Sequence, residues 1–415
     1  MFILGDHVVP SNIQEGYLAR LLIRRAIRSM NELGLNFSLT KIVEKKILKA
    51  KKQFPEFYEN KEDILKMVDV EQEKYKRTLE RGRQVVAKIA AKKKKLTEKD
   101  LLLLYDSHGL LPRDVKKFSP IPVVPLSDIE TRIAVQKSSV VPKTEECPID
   151  IEGIKETRKL FYEDEKKYEL EAKVWKVKRK CVVLDQTCFW ARSGGAEPDH
   201  GTLNGCRVFD VEKFGNVIVH SVENPNFKEG DVVKGKVDEE RRKAIVRHHT
   251  ATHIVAGAAR KVLGSHIWQA GSKKDADKAH IDLTHYQALN EKEVKKIEKL
   301  ANDVVKKAIK VEKNVMRRDK AEQEFGFVLY QGGAVPGRDL RIVNIPGWDV
   351  EACGGLHVDN TSEVGEIIVL KTERPADGTV RLVYAAGPAA LKYLKRSEKI
   401  LEECCKLLNL SLIHI

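Results

Sequence analysis

The sequence has no apolar run of membrane-spanning length and no secretory leader pattern, which excludes a helical membrane protein and points to a soluble, cytoplasmic chain. It has no disulfide framework either. The seven cysteines are an odd number without regular spacing, and Cys404 and Cys405 are adjacent in the chain, a poor arrangement for a stapled secreted fold. Acidic charge is in deficit: 75 Lys and Arg stand against 61 Asp and Glu, for a formal net charge of +14. Much of the excess lies early, with 26 basic against 16 acidic side chains in residues 1–120. Such an imbalance suits a polyanionic partner, although a solvated lysine-rich helical surface has the same composition. One further absence is local. A zincin protease needs Glu directly after the first His of an H-x3-H pair, and Thr250 follows His249 here, which removes that class.

What is present centres on His249-Thr250-Ala251-Thr252-His253 and a distant partner, Cys353-Gly354-Gly355-Leu356-His357. The first stretch falls in a run with helical period over 241–263, so both imidazoles leave one face. In the second, a thiol and an imidazole flank a Gly-Gly turn able to aim both inward. His249, His253, Cys353 and His357 together form a donor set that suits Zn2+. The bland alternative is a core cysteine with surface histidines.

The length allows two or three domains. Residues 1–120 read as helical, with Ser11 or Asn12 placed to cap the helix that follows. That helix sets Leu18, Leu22 and Ala26 on one side and Arg20, Arg24 and Arg28, joined by Arg25, on another. The arginine row fits either a line of phosphates or a solvated face. Residues 121–165, stiffened by Pro122 and Pro125, read as a linker. Short alternating strands over 166–240 predict a small β-barrel. Residues 241–386 read as an α+β domain carrying the metal ligands, and 387–415 as a C-terminal helix with roughly heptad apolar spacing. The fold class expected is multidomain α+β.

The two metal stretches resemble the editing domain of alanyl-tRNA synthetase, of archaeal type, and of the free-standing alanyl editing proteins. Further words extend the resemblance: Thr187-Cys188-Phe189-Trp190-Ala191-Arg192-Ser193-Gly194-Gly195 with Pro198-Asp199-His200-Gly201, Gln269-Ala270-Gly271-Ser272, and His280-Ile281-Asp282-Leu283-Thr284-His285. Trp190 replaces the family's usual Tyr and His280 its usual Arg. Leu4-Gly5-Asp6-His7, Pro10-Ser11-Asn12 and Leu104-Tyr105-Asp106 are similar to the family's tRNA-recognition region. There the resemblance implies that Asn12 reads the acceptor-stem wobble pair of tRNA(Ala), with Asp106 or Asp114 as its partner; both also suit plain helix capping.

From the resemblance, Gly194 and Gly195 belong to a loop over the editing pocket, while Thr250 and Gln269 are candidate readers of a substrate hydroxyl, since each offers donor and acceptor. The ligand implied is a 3′-aminoacyl adenosine. The expected activity is hydrolysis of Ser- or Gly-tRNA(Ala), with Zn2+ positioning the substrate. The resemblance also implies that the class II catalytic core and the C-terminal dimerisation domain are lacking. On that reading the chain alone would not ligate alanine, and it is either a piece or one half of a split synthetase working with a separate catalytic chain. A tRNA-binding module with a structural zinc and a free-standing trans-editing deacylase stay open beside it.

Overall fold

The computed structural model describes residues 1–12, 14–125, 147–331, 333, 335 and 337–408, except the side chains of Gln14, Asp106 and Leu408. It is α+β, as expected. Helices α1 (Phe2–Gly5), α2 (Gln14–Glu32), α3 (Leu39–Ala50), α4 (Pro55–Glu59), α5 (Lys61–Ala90), α6 (Glu98–His108) and α7 (Pro112–Phe118) form the front. Its two apolar clusters centre on Ile47, Ile64 and Met67, and on Val86, Leu101 and Leu104. α6 begins on a capping box made by Thr97 and Asp100, and ends at Gly109 with φ 66°, which closes both ends of a short helix.

The face of α2 that enters the front is the reverse of the expected one. Leu18 and Leu22 are half exposed, whereas Arg20 and Arg24 are buried. Both arginines bond the buried carboxylate of Glu71 on α5, and Arg24 also donates to the Gly109 carbonyl at 2.7 Å. Arg28 lies 3.5 Å from Asp114. A row at every fourth position looks the same whether it faces phosphates or a buried acid, and here Glu71 decides. Arg25 alone of the four is exposed.

The stretch 121–165 is not a free linker at its ends. Leu96 and Val123 form a parallel bridge, and Ile121, Val123 and Val124 pack on the second front cluster. Ile149 is buried against Val183, Val217 and Val219. Apolar β-branched side chains draw both ends onto neighbouring cores; residues 126–146 lie outside the described residues.

Strands β1 (Arg158–Lys159) and β4 (Gln186–Thr187) pair in parallel, with β3 (Cys181–Leu184) between them in sequence. A closed six-stranded barrel joins β2 (Glu169–Lys178), β3, β7 (Val217–Val222), β6 (Cys206–Phe214), β5 (Gly201–Leu203) and β8 (Val232–Val237). β8 buries every second residue, as a closed barrel requires.

α8 (Glu239–Leu263) follows. Asp238 caps it by accepting from the Arg241 amide, Glu239 and Glu240 open it, and Arg260 and Lys261 close it, matching charge to the helix dipole at both ends. Small side chains let it sit centrally: a Cβ at Gly257 would lie 2.6 Å from the Trp348 indole nitrogen. Around it stand β9 (Gln269–Lys274), β10 (Ala279–Thr284), α9 (Glu291–Lys306), β11 (Glu312–Arg317), α10 (Arg318–Phe325), β12 (Asp339–Ile345), β13 (Asp349–Ala352), β14 (Ile367–Glu373) and β15 (Thr379–Ala386). The sheet orders are β14-β15-β10-β9 and β11-β12-β13. α11 (Pro388–Leu408) extends beyond them with Leu391, Leu394 and Ile400 exposed.

Two buried histidines make the fold sensitive to acid. His220 lies inside the barrel between Thr187 and the Val182 carbonyl, and burial lowers its pKa to about 4. His285, under the front, is lowered to about 3 by burial and by His266. A base whose pKa is depressed on folding contributes stability above its unfolded pKa and loses it as pH falls toward the folded value. Between pH 6.5 and 5 each should therefore lose about 2 kcal/mol. Thermal melting at pH 7 and pH 5 checks this; a melting temperature that rises on acidification contradicts it.

Candidate metal centre and basic cleft

His249 and His253 lie one turn apart on the buried face of α8, and the loop after β13 brings Cys353 and His357 to them. The Cys353 Sγ is 3.5 Å from His249 Nε2 and 3.4 Å from His357 Nε2. One ligating atom from each of the four residues falls within 4.8 Å of the others. The turn works because it has no side chain at its tight point: a Cβ on Gly355 would lie 1.9 Å from the His249 ring. Tyr162 holds the same turn from outside, donating to the Gly354 carbonyl at 2.9 Å.

The outer partners fit an ion at the centre. Asp349 Oδ2 lies 3.0 Å from His253 Nδ1, so that nitrogen carries the proton and Nε2 keeps its lone pair for the interior. Thr250 Oγ1 accepts from the Val358 amide at 3.2 Å, reaches the Val246 carbonyl at 3.3 Å and lies 3.1 Å from His357 Nδ1. With its proton given to Val246, it takes a proton from His357 Nδ1 and turns the lone pair of Nε2 toward Cys353. The Gly355 amide approaches Cys353 Sγ at 3.5 Å. Three imidazoles and one thiol thus bring a ligating atom each to within 4.8 Å of one another, a donor set that suits zinc once His253 has given up its extra proton.

Burial lowers the pKa of His249 and His357 well below the ordinary histidine value, which keeps both in the neutral, ligating form. Burial alone would lower His253 as well, but Glu351, Asp349 and Cys353 raise it instead. Glu351 is itself pushed up to about 7, chiefly by burial, against the pull of His253 and with the push of Asp349. Its Oε2 lies 3.7 Å from His253 Nε2. Asp349 and Glu351 were missed from the sequence, yet a signal was there. In Asp349-Val350-Glu351-Ala352-Cys353 the alternation of a strand sends all three polar side chains to one face.

The Gly194-Gly195 loop closes over this centre from the barrel. Both glycines have positive φ, 56° and 76°, and a Cβ on Gly195 would lie 2.0 Å from the Ser272 carbonyl. Lys274, buried on β9, straps the loop down by donating from Nζ to Gly194 O and Ser272 Oγ, each at 2.7 Å. Burial lowers its pKa to about 8. Trp190, Ala196, Leu356 and His249 line a small void beneath the loop. A larger cavity of about 720 Å³ reaches His357, its wall shared by Tyr162, Tyr168, Lys243, Arg247 and Lys313 and by six acidic side chains, Glu165, Glu239 and Asp359 among them. That volume accommodates a nucleoside-sized ligand.

Two candidate hydroxyl readers do not stand as expected. Thr250 is fully buried and its oxygen is spent on orienting His357. Gln269 opens β9 and lines a separate cavity of about 520 Å³ with Val9, Trp268, Thr284 and Tyr330.

A second polar site lies on the front. A cleft of about 410 Å³ is lined by Asn12, Arg20, Arg24, Lys74, Arg77, Arg81 and the stretch Ser107 to Gly109, with Asp377 its one acidic side chain among the described residues. Asn12 is exposed, and Arg77 and Arg81 project from α5 into solvent. Arg77 and Arg81 were missed too, although Lys74, Arg77 and Arg81 fall on one helix face by their spacing. Asp114 is buried, taking a bond from Tyr75 at 2.8 Å, and is thereby withdrawn as a reader of any ligand. The side chain of Asp106 lies outside the described residues; its neighbours Ser107 and His108 line the cleft.

Residues 1–241 match the family model described as tRNA synthetases class II (A), and residues 340–383 match that of the threonyl and alanyl tRNA synthetase second additional domain. The chain is 42% identical to an alanine–tRNA ligase of Methanococcus maripaludis over 99% of this chain and 47% of the relative. For the alanine–tRNA ligases of Pyrococcus abyssi and Thermococcus kodakarensis the identities are 44% and 43%, over 98% of this chain and 46% of each relative. The chain spans about half the length of the curated relatives it matches. The expectation that the class II catalytic core is lacking is not borne out, because the first 241 residues fall within the class II family model.

Proposed function

Because the chain belongs to the alanyl-tRNA synthetase family, we propose that it serves an alanine–tRNA ligase by gripping the tRNA(Ala) acceptor end and hydrolysing Ser- or Gly-tRNA(Ala). The reading rests on one observation: His249, His253, Cys353 and His357, from two distant segments, each bring a ligating atom to within 4.8 Å of the other three. Zn2+ bound there would supply a positive centre that orients or polarises the ester.

The chain's own residues do the rest. Asp349 and Thr250 hold the imidazoles of His253 and His357 in the tautomer that faces inward. Lys274 holds the Gly194-Gly195 backbone close to the centre, so backbone rather than side chain meets the aminoacyl group. The large cavity beside His357 takes the terminal adenosine, against Tyr162 and Tyr168. Hydrolysis is needed because a synthetic site built for alanine cannot exclude glycine by size, and one added hydroxyl on serine gives only modest discrimination.

A non-catalytic reading has one feature in its favour: four protein ligands fill a tetrahedron, the pattern of structural zinc. Incubating the full chain with Ser-tRNA(Ala), before and after metal removal by a chelator, separates the two. Deacylation that vanishes with the metal and returns with added Zn2+ is expected. A chain that binds tRNA(Ala) and never deacylates it would leave only the structural role.

A further inference from the structure

The front meets the metal-bearing domain in several places, Ser265 bonding Asn60 and lying against His7 among them, and one of these places is the turn between β14 and β15. There Asp377 accepts from Lys74 Nζ at 2.9 Å and from Arg374 at 3.1 Å, and its second oxygen pairs with Arg20. Arg20 in turn donates to the Asn12 side-chain oxygen and, at 3.2 Å, to Glu71. Lys74 also donates to the Tyr286 carbonyl at 2.9 Å. Gly378, at φ 79°, seats the turn against the front: a Cβ there would lie 2.8 Å from Ser11 Cβ and 3.1 Å from the Pro10 carbonyl. A carboxylate that burial would raise is instead held down to about 2 by Arg20 and Lys74, so it stays charged at any working pH.

Arginine only donates. Its bond therefore forces the oxygen of the Asn12 amide toward Arg20 and leaves the NH2 as the end that addresses a ligand. In a helical acceptor stem the shallow groove offers pyrimidine O2 and purine N3 as acceptors. A wobble pair shifts its pyrimidine relative to a Watson–Crick pair, so O2 stands at a different place in the two stems. An NH2 held in one position donates to it in one stem and misses it in the other; the flipped amide offers no donor to either.

We infer that Asp377 is a positioning residue for acceptor-stem readout: the β14–β15 turn clamps Arg20, and Arg20 fixes which end of the Asn12 amide faces the stem. This inference rests on the proposed reading that Asn12 contacts the acceptor stem. It ties recognition on the front to the docked state of the domain that holds the metal centre. Without the carboxylate, Arg20 keeps Glu71 and, at 3.3 Å, the Pro10 carbonyl, but loses the charged partner of its outer nitrogen, and the amide is freer to turn.

The test uses the full chain and two acceptor-stem RNA hairpins that differ only in a G·U or G·C pair at the wobble position. Asn12→Ala should bring the ratio of their affinities close to one. Asp377→Asn should cut that ratio by about tenfold, within the range of a single base-pair contact, while the weaker affinity for the G·C hairpin stays as in the unmodified chain. Asp377→Glu should restore most of the ratio, which a merely structural carboxylate would not do. Gly378→Ala lifts the turn by steric contact and should lower the ratio too, so the idea remains testable if one variant fails to fold. An unchanged ratio in Asp377→Asn and Gly378→Ala, with the ratio lost in Asn12→Ala, overturns the clamp and leaves the Asn12 reading intact. An unchanged ratio in Asn12→Ala overturns both.

Discussion

On the proposed function, a chain carrying Cys353→Ala should bind zinc far more weakly and deacylate Ser-tRNA(Ala) about a hundredfold more slowly or worse. Cys353 is the one soft donor of the four and the atom nearest to both His249 and His357. Removing even a group that merely orients a ligand costs about 10- to 100-fold in metal affinity or activity, and a thiolate ligand contributes charge as well as a bond. The three imidazoles that remain still match a known zinc donor set, so residual binding at high metal concentration is expected rather than none. Metal content by atomic emission and single-turnover deacylation, measured on the same sample, check both halves. Zinc content and deacylation that both match the unmodified chain would show that the centre lies elsewhere.

Arg242→Met should destabilise the junction of barrel and α8 by about 3–5 kcal/mol, the usual cost of stranding one partner of a buried ion pair. Arg242 and Asp199 are each 2% exposed. The guanidinium bonds both carboxylate oxygens and reaches the Cys188 carbonyl at 2.5 Å. Asp199 also accepts from the Trp190 amide at 2.5 Å, so the pair pins the loop that carries Trp190, Gly194 and Gly195 onto the helix that carries the histidines. Losing it should lower the apparent melting temperature by about 10 °C and slow deacylation through a loosened loop. Several domains melt together here, so the midpoint is compared between variants and not converted to an absolute stability. The double variant Asp199→Leu/Arg242→Met should recover much of the loss, since no buried charge is left unpaired. A single variant that melts with the unmodified chain would contradict the burial of this pair.

Periodicity and motif spacing were enough for the helical front and the barrel, and for naming the four side chains that the fold brings together as a candidate ligand set. A helix repeats every 3.6 residues and a strand every two, so which side chains share a face is written locally. His249 with His253, and Cys353 with His357, could be read in that way. What a face meets is not local. The Arg20, Arg24 and Arg28 row was legible as a row, but only the approach of α5 showed that its target is Glu71. Thr250 was legible as a polar side chain, but the closing of the Cys353 turn decided where its oxygen points. The ends of 121–165 looked like linker because few residues there repeat, yet Ile149 and Val123 are drawn into cores built by strands and helices far away in sequence. The sequence by itself determined the chemistry available, the charge of the front and the local shape of each element. Only the tertiary structure decided which groups are partners, because a buried charge or lone pair is satisfied by whatever the fold brings within about 3 Å, and that neighbour has no fixed distance along the chain.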